Sequence, residues 1–114
     1  MTVYGISQSS GVERRVAVER GGEGIVLTII DHVGDIERAR IMLPPDSLLT
    51  TITDPPPGGC TIEGTVPPHG TRQLLDVEIR RNEVLLRVHA EAETGWDAAV
   101  GLDDLQDALE KAIG

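Results

Sequence analysis

The chain has 114 residues, a formal charge of −9 at pH 7, no Phe, a single Trp and a single Tyr. That length favours one compact domain with a shared core of Val, Leu, Ile and Ala over two halves that fold separately. The lone Cys60 excludes an intrachain disulfide and a Cys-rich zinc site, the acidic balance repels polyanions at long range, and no apolar run reaches membrane-spanning length.

In chain order, Gly-bounded segments rich in β-branched residues predict strands at 3–7, 14–20, 25–32 and 36–43. Pro44 and Pro45 then open a short helix with Leu48, Leu49 and Ile52 on one stripe, and the Pro/Gly run from Asp54 to Gly59 stops it. Further strands are predicted at 61–66, 74–80, 84–92 and 95–101. The last helix takes Asp103 or Asp104 as its cap, repeats Leu105, Ala108, Leu109, Ala112 and Ile113 at helical spacing, and ends on Lys111 and Gly114. The turn-prone runs at 20–24 and 80–83 each predict a hairpin.

Shifted by 59 places, the chain falls on itself without a gap. Thr2 meets Thr61, Gly5 meets Gly64, Gly11 meets Gly70, Val18-Glu19 meets Val77-Glu78, Leu27 meets Leu86, Ala39 meets Ala98 and Leu43 meets Leu102. These readings predict an α+β fold: one domain over 1–114 made of two ββββα repeats, 1–54 and 60–114, joined by the linker 55–59. Antiparallel sheets would carry the helices on one face and pack through them.

Strand register places Leu27, Ile29, Leu86, Val88, Ala90 and Ala92 inside, with Ala39, Ile41, Ala98, Val100 and Trp96 in the same phase. Thr28, Ile30, His32, Arg38, Arg40, Arg87, His89, Glu91, Asp97 and Ala99 face outward. Four strands followed by a helix, used twice, with Ile41-Met42-Leu43 and Val100-Gly101-Leu102 before the helices, resemble the Whirly/PUR-type fold. The run from Val16 to Ile29 resembles the first long hairpin of a PUR repeat, and that from Arg38 to Ile52 its last strand and helix. The resemblance implies intertwined repeats and binding of single-stranded DNA or RNA. Such binders combine a basic groove with aromatic platforms, whereas this chain is acidic and poor in aromatics.

The candidate binding residues are Arg38, Arg40, Arg80, Arg81, Arg87 and Trp96. The arginines read either as a phosphate-contacting stripe or as cross-strand partners of Glu37, Glu78, Glu91 and Asp97. Arg80 and Arg81 stand out because the equivalent hairpin holds Gly21 and Gly22, and Trp96 because its counterpart is Glu37. His89, Glu91 and His32 share a face but lack metal-ligand spacing, and His69 is a loop residue without a visible partner. Cys60 reads as a small, half-buried side chain. Ser7, Ser9 and Ser10 form no nucleophile elbow, and Gly21 to Gly24 serve a turn.

No catalytic residue, metal or cofactor is therefore assigned. The expectation is a cytoplasmic, non-enzymatic binding or scaffold module for an unidentified protein partner, with no membrane role. Homodimerisation through Ile6, Ile30 and Leu85 is a further expectation, and single-stranded nucleic-acid binding is the alternative function.

Overall fold

The structure, a computed structural model, describes residues 1–67 and 70–114. The expectation for His69 lies outside the described residues. Its elements are β1 (Thr2–Ile6), β2 (Glu13–Gly21), β3 (Gly24–Asp31), β4 (Ile36–Leu43), α1 (Ser47–Thr53), β5 (Cys60–Val66), β6 (Thr71–Arg80), β7 (Glu83–His89), β8 (Trp96–Gly101) and α2 (Leu102–Ile113).

Their arrangement corrects the expected α+β fold. The eight strands close in chain order into a single antiparallel barrel, and the helices span only 7 and 12 residues. Within each half, successive strands pair over most of their length as a meander. A meander twists and curls, so its two outer strands come round to meet those of the other half. Closure shortens the free edges that flat sheets would expose. It also leaves a single inner face, so the helices have no separate sheet face to cover.

The two closing seams are short. β1 meets β8 through Gly5↔Val100 and Ile6↔Ala99, and β4 meets β5 through Met42↔Thr65 alone. Each seam joins the C-terminal part of one strand to the C-terminal part of the other. The early residues of β1 and β5 thus run past the ends of β8 and β4, where α2 packs against β1 and α1 against β5. A Cβ on Gly5 would collide with the Ala99 carbonyl, and one on Gly64 with the Met42 carbonyl and the Ile41 side chain. Both seams therefore require glycine, and the two glycines lie 59 residues apart. The same offset relates the turns: Gly11 and Gly70 share a φ of 76° and donate to the Ser7 and Val66 carbonyls at 2.8 and 2.9 Å. In the hairpins Gly22 and Arg81 occupy matching left-handed positions, at φ 53° and 57°.

One aliphatic cluster fills the barrel and includes Leu48 and Ile52 of α1 and Leu105, Ala108 and Leu109 of α2. Helix α2 crosses the barrel end that carries the hairpins. Leu102 N donates to Asn82 O at 2.7 Å, and the Arg20 guanidinium donates to Ile113 O at 3.1 Å. Gly101 is its N-cap, with no side-chain cap, so Asp103 and Asp104 are not the cap but first-turn residues, where they suit the helix dipole. Several faces also differ from expectation. β7 stops at His89, leaving Ala92 exposed in a loop at φ 67°, while Thr28 and Ala99 are buried. Among the described residues no helix is long and apolar enough to cross a membrane.

Gly5→Ala is expected to lower the unfolding free energy by about 3 kcal/mol, because the added carbon must push β1 off β8. Urea unfolding measures this, and a variant as stable as the parent would contradict the tight seam.

Candidate functional site

The barrel end away from the hairpins is filled by charge instead of by a helix. On β2, Arg14 continues the inward phase of Val16 and Val18. On β3, Asp31 continues that of Leu27 and Ile29, and Ser7 follows Val3 and Gly5 out of β1. All three are buried, at 1% exposure for Ser7, 5% for Arg14 and 8% for Asp31. A buried charge is tolerated only when it is paired and hydrogen-bonded. Arg14 Nε donates to Asp31 Oδ1 at 3.0 Å, and its Nη1 donates to the Asp97 carbonyl at 2.8 Å and to Asp97 Oδ1 at 3.3 Å.

Arg38 completes the cluster through a register shift. Ile29 pairs with Ala39 but Ile30 pairs with Glu37, so Arg38 is the extra residue of a β-bulge. A bulge re-aims its side chain, and here Arg38 Nε donates to Asp31 Oδ2 at 2.8 Å. Two arginines and two aspartates leave the cluster neutral. The guanidinium carbons of Arg14 and Arg38 lie 5.3 and 5.0 Å from the centroid of the Trp96 ring, within cation–π range. Trp96 therefore stands at the mouth, 39% exposed, instead of in the core as its strand phase suggested.

Asp97 is clamped by the β1–β2 loop. Its Oδ1 accepts from the Ser7 and Ser9 hydroxyls at 2.7 Å each, and its Oδ2 from the Gln8 and Ser9 amides at 2.9 and 3.2 Å. Burial raises its pKa, but these bonds outweigh it and hold the carboxyl below the ordinary 3.8. The Arg14 hydrogen bond does the same for Asp31 against the opposing effect of burial, with Arg38 assisting.

A notch of about 480 Å³ opens beside Trp96, between β4, the ends of β6 and β7, and the β7–β8 loop. Of the sequence-predicted residues, Arg38, Arg40 and Trp96 line it. Arg80 and Arg81 lie at the far end of the barrel on the β6–β7 hairpin, and Arg87 lies on the outer face. Most of these arginines are matched to carboxylates: Arg40 to Glu37 at 2.7 Å, Arg80 to Glu78 at 3.0 Å, Arg87 to Asp76 at 2.6 Å. Arg81 has no ion-pair partner among the described residues. Arg14, Asp31, Ser7 and Asp97 lie outside the sequence-predicted set, although a charged side chain in phase with Val16-Val18 or Leu27-Ile29 is a readable signal.

A second groove of about 720 Å³ lies on the outside of β6, β7 and β8. It follows the cross-strand row Thr61, Asp76, Arg87 and Asp97. Burial of Asp76 raises its pKa, yet hydrogen bonds from Thr61 and Arg87, with His89 beside it, bring it below 3.8. His89 Nδ1 donates to the Ala90 carbonyl at 2.8 Å. Its Nε2 lies 3.0 Å from Asp76 Oδ2 without hydrogen-bond alignment. Glu91 instead pairs with Arg72, and His32 packs edge-on against Tyr4 at 5.5 Å. Among the described residues no group of three or more His, Cys, Asp or Glu is placed to hold a metal. Cys60 is half-buried with Sγ 3.9 Å from Thr51 Oγ1.

The sequence matches no protein-family model, and no curated protein matches it.

The lowered pKa values set a pH dependence. A carboxyl whose folded pKa is depressed stabilises the fold fully above its unfolded pKa, and that stabilisation is lost as pH falls through the folded value. The urea midpoint is expected to hold from pH 7 to about 5 and to drop below about 4. Asp97→Asn is expected to be less stable at pH 7 and to show a shallower acid drop. Parallel acid curves for parent and variant would contradict the clamp.

Proposed function

We propose that this chain is a non-enzymatic binding module whose protein partner docks at the charged mouth of the barrel. The observation that carries the reading is Trp96, the sole tryptophan. It is held half-open above a notch by two arginines that are themselves locked onto Asp31 and Asp97. Trp and Arg are the residues most often found as interface anchors, and an anchor fixed before binding loses little freedom on contact. Both oxygens of Asp31 and of Asp97 accept hydrogen bonds from fixed donors, and both carboxyls stay ionised near neutral pH, so neither is poised to move a proton.

Single-stranded nucleic-acid binding is the second reading. The Whirly/PUR resemblance and the Arg-rich strands favour it. The carboxylate partners of Arg38, Arg40, Arg80 and Arg87 and the net charge of −9 weigh against it, because a phosphate would have to displace an acid already in place.

A peptide array probed with the protein and with Trp96→Ala separates these readings when it is combined with anisotropy titrations of single-stranded DNA and RNA at low salt. The module reading expects sequence-selective peptide signals that the variant loses while its far-UV spectrum is unchanged, and flat nucleic-acid curves. Salt-steep submicromolar nucleic-acid binding, weakened by Arg80→Ala and Arg81→Ala, would overturn it.

A further inference from the structure

We propose that the open edge of β4 is a strand-addition site for an extended, basic peptide of another protein. The inference rests on the mouth being a binding surface and names what it binds. Among the described residues β4 pairs with β3 alone through 36–40, because β5 there reaches β4 only at Met42↔Thr65. Among the described residues no other backbone group bonds to that stretch. The backbone donors and acceptors on its outer side therefore face the 480 Å³ notch, and the segment is mostly exposed. Unpaired strand edges are templates for another strand.

The corresponding edge on the other seam is treated differently. There Asp97, near the start of β8, is clamped by the amides of Gln8 and Ser9. Fifty-nine residues away, Asp97 corresponds to Arg38, and Gln8 and Ser9 correspond to Pro67 and Pro68. Proline has no N–H to donate, and Arg38 presents no acceptor for one. The clamp that covers one edge is thus chemically impossible at the other. The bulge and charges on β4 would ordinarily guard an edge. Here the bulge is used to aim Arg38 at Asp31, and Arg40 is bound to Glu37, so neither cation is left to repel a basic strand.

A strand laid along residues 36–40 meets the half-open Trp96 ring on the notch side, which calls for apolar side chains at alternate positions. Glu93 on the rim and the charge of −9 call for basic residues at the positions between.

The test is a titration of the ¹⁵N-labelled full chain with a capped hexapeptide alternating valine and lysine. Controls are the same peptide N-methylated at alternate backbone amides and a valine–glutamate version. Saturable shifts are expected at the amides of residues 36–40 and at the Trp96 indole, with binding about tenfold weaker for the N-methylated peptide, since two or so main-chain bonds are lost. The valine–glutamate peptide is expected to be weaker still. Equal binding of parent and N-methylated peptides, with the Trp96 indole still shifting, would overturn strand addition while leaving the mouth as a binding surface. Equal binding of the valine–glutamate peptide would overturn the basic partner. Shifts confined to other faces, or none, would overturn the site, and the array result would then judge the binding role by itself.

Discussion

At Gly5 and Gly64 two strands come so close that no side chain fits between them, and the two short seams that close the barrel run beside these glycines. Each half could otherwise remain an open four-strand sheet. Because both seams use the C-terminal ends of their strands, closure is strongly offset, and the offset divides the molecule into two unlike ends. At one end the early residues of β1 and β5 project past their partners and are covered by α2 and α1. At the other end the early residues of β4 and β8 project, and among the described residues no helix covers them.

What fills that second end follows from the phase of the strands that reach it. The inward positions there hold Ser7, Arg14 and Asp31 instead of aliphatic residues. A low-dielectric interior tolerates such groups only as a closed set of partners. The set recruits Asp97 from β8 and, through a bulge, Arg38 from β4. Trp96 is thereby fixed at the rim between guanidinium groups. The mouth owes its shape to the need to neutralise Arg14.

Local structure was legible in the sequence because local physics decides it. The turn-prone runs, the β-branched runs and the stripe of Leu105, Ala108 and Leu109 placed the strands and the last helix, although β6 begins and β7 ends three residues before the expected bounds. Closure was not legible. Gly5 and Gly64 stood out as a matched pair, but that they admit a neighbouring carbonyl depends on contacts between residues some 95 positions apart in the chain, Gly5 with Val100. The same holds at the site. Counting alternate residues puts Arg38 outward, and it is exposed, but a single extra residue in β4 turns its head onto Asp31. Trp96 had the right phase for the core but sits where the core has given way to ions. Arg14 and Asp31 broke the apolar pattern of their strands, and that break was the readable sign of the charged mouth.

Native-state amide hydrogen exchange across β4 tests this account most directly. In a barrel closed on short seams, the amides of residues 36–40 that are not bonded to β3 exchange quickly into the notch, while those bonded to β3 are protected like the centre of β3 at Leu27 and Ile29. Uniform protection along the whole of β4 would mean that its edge is already paired, and would contradict both the short seam and the open mouth.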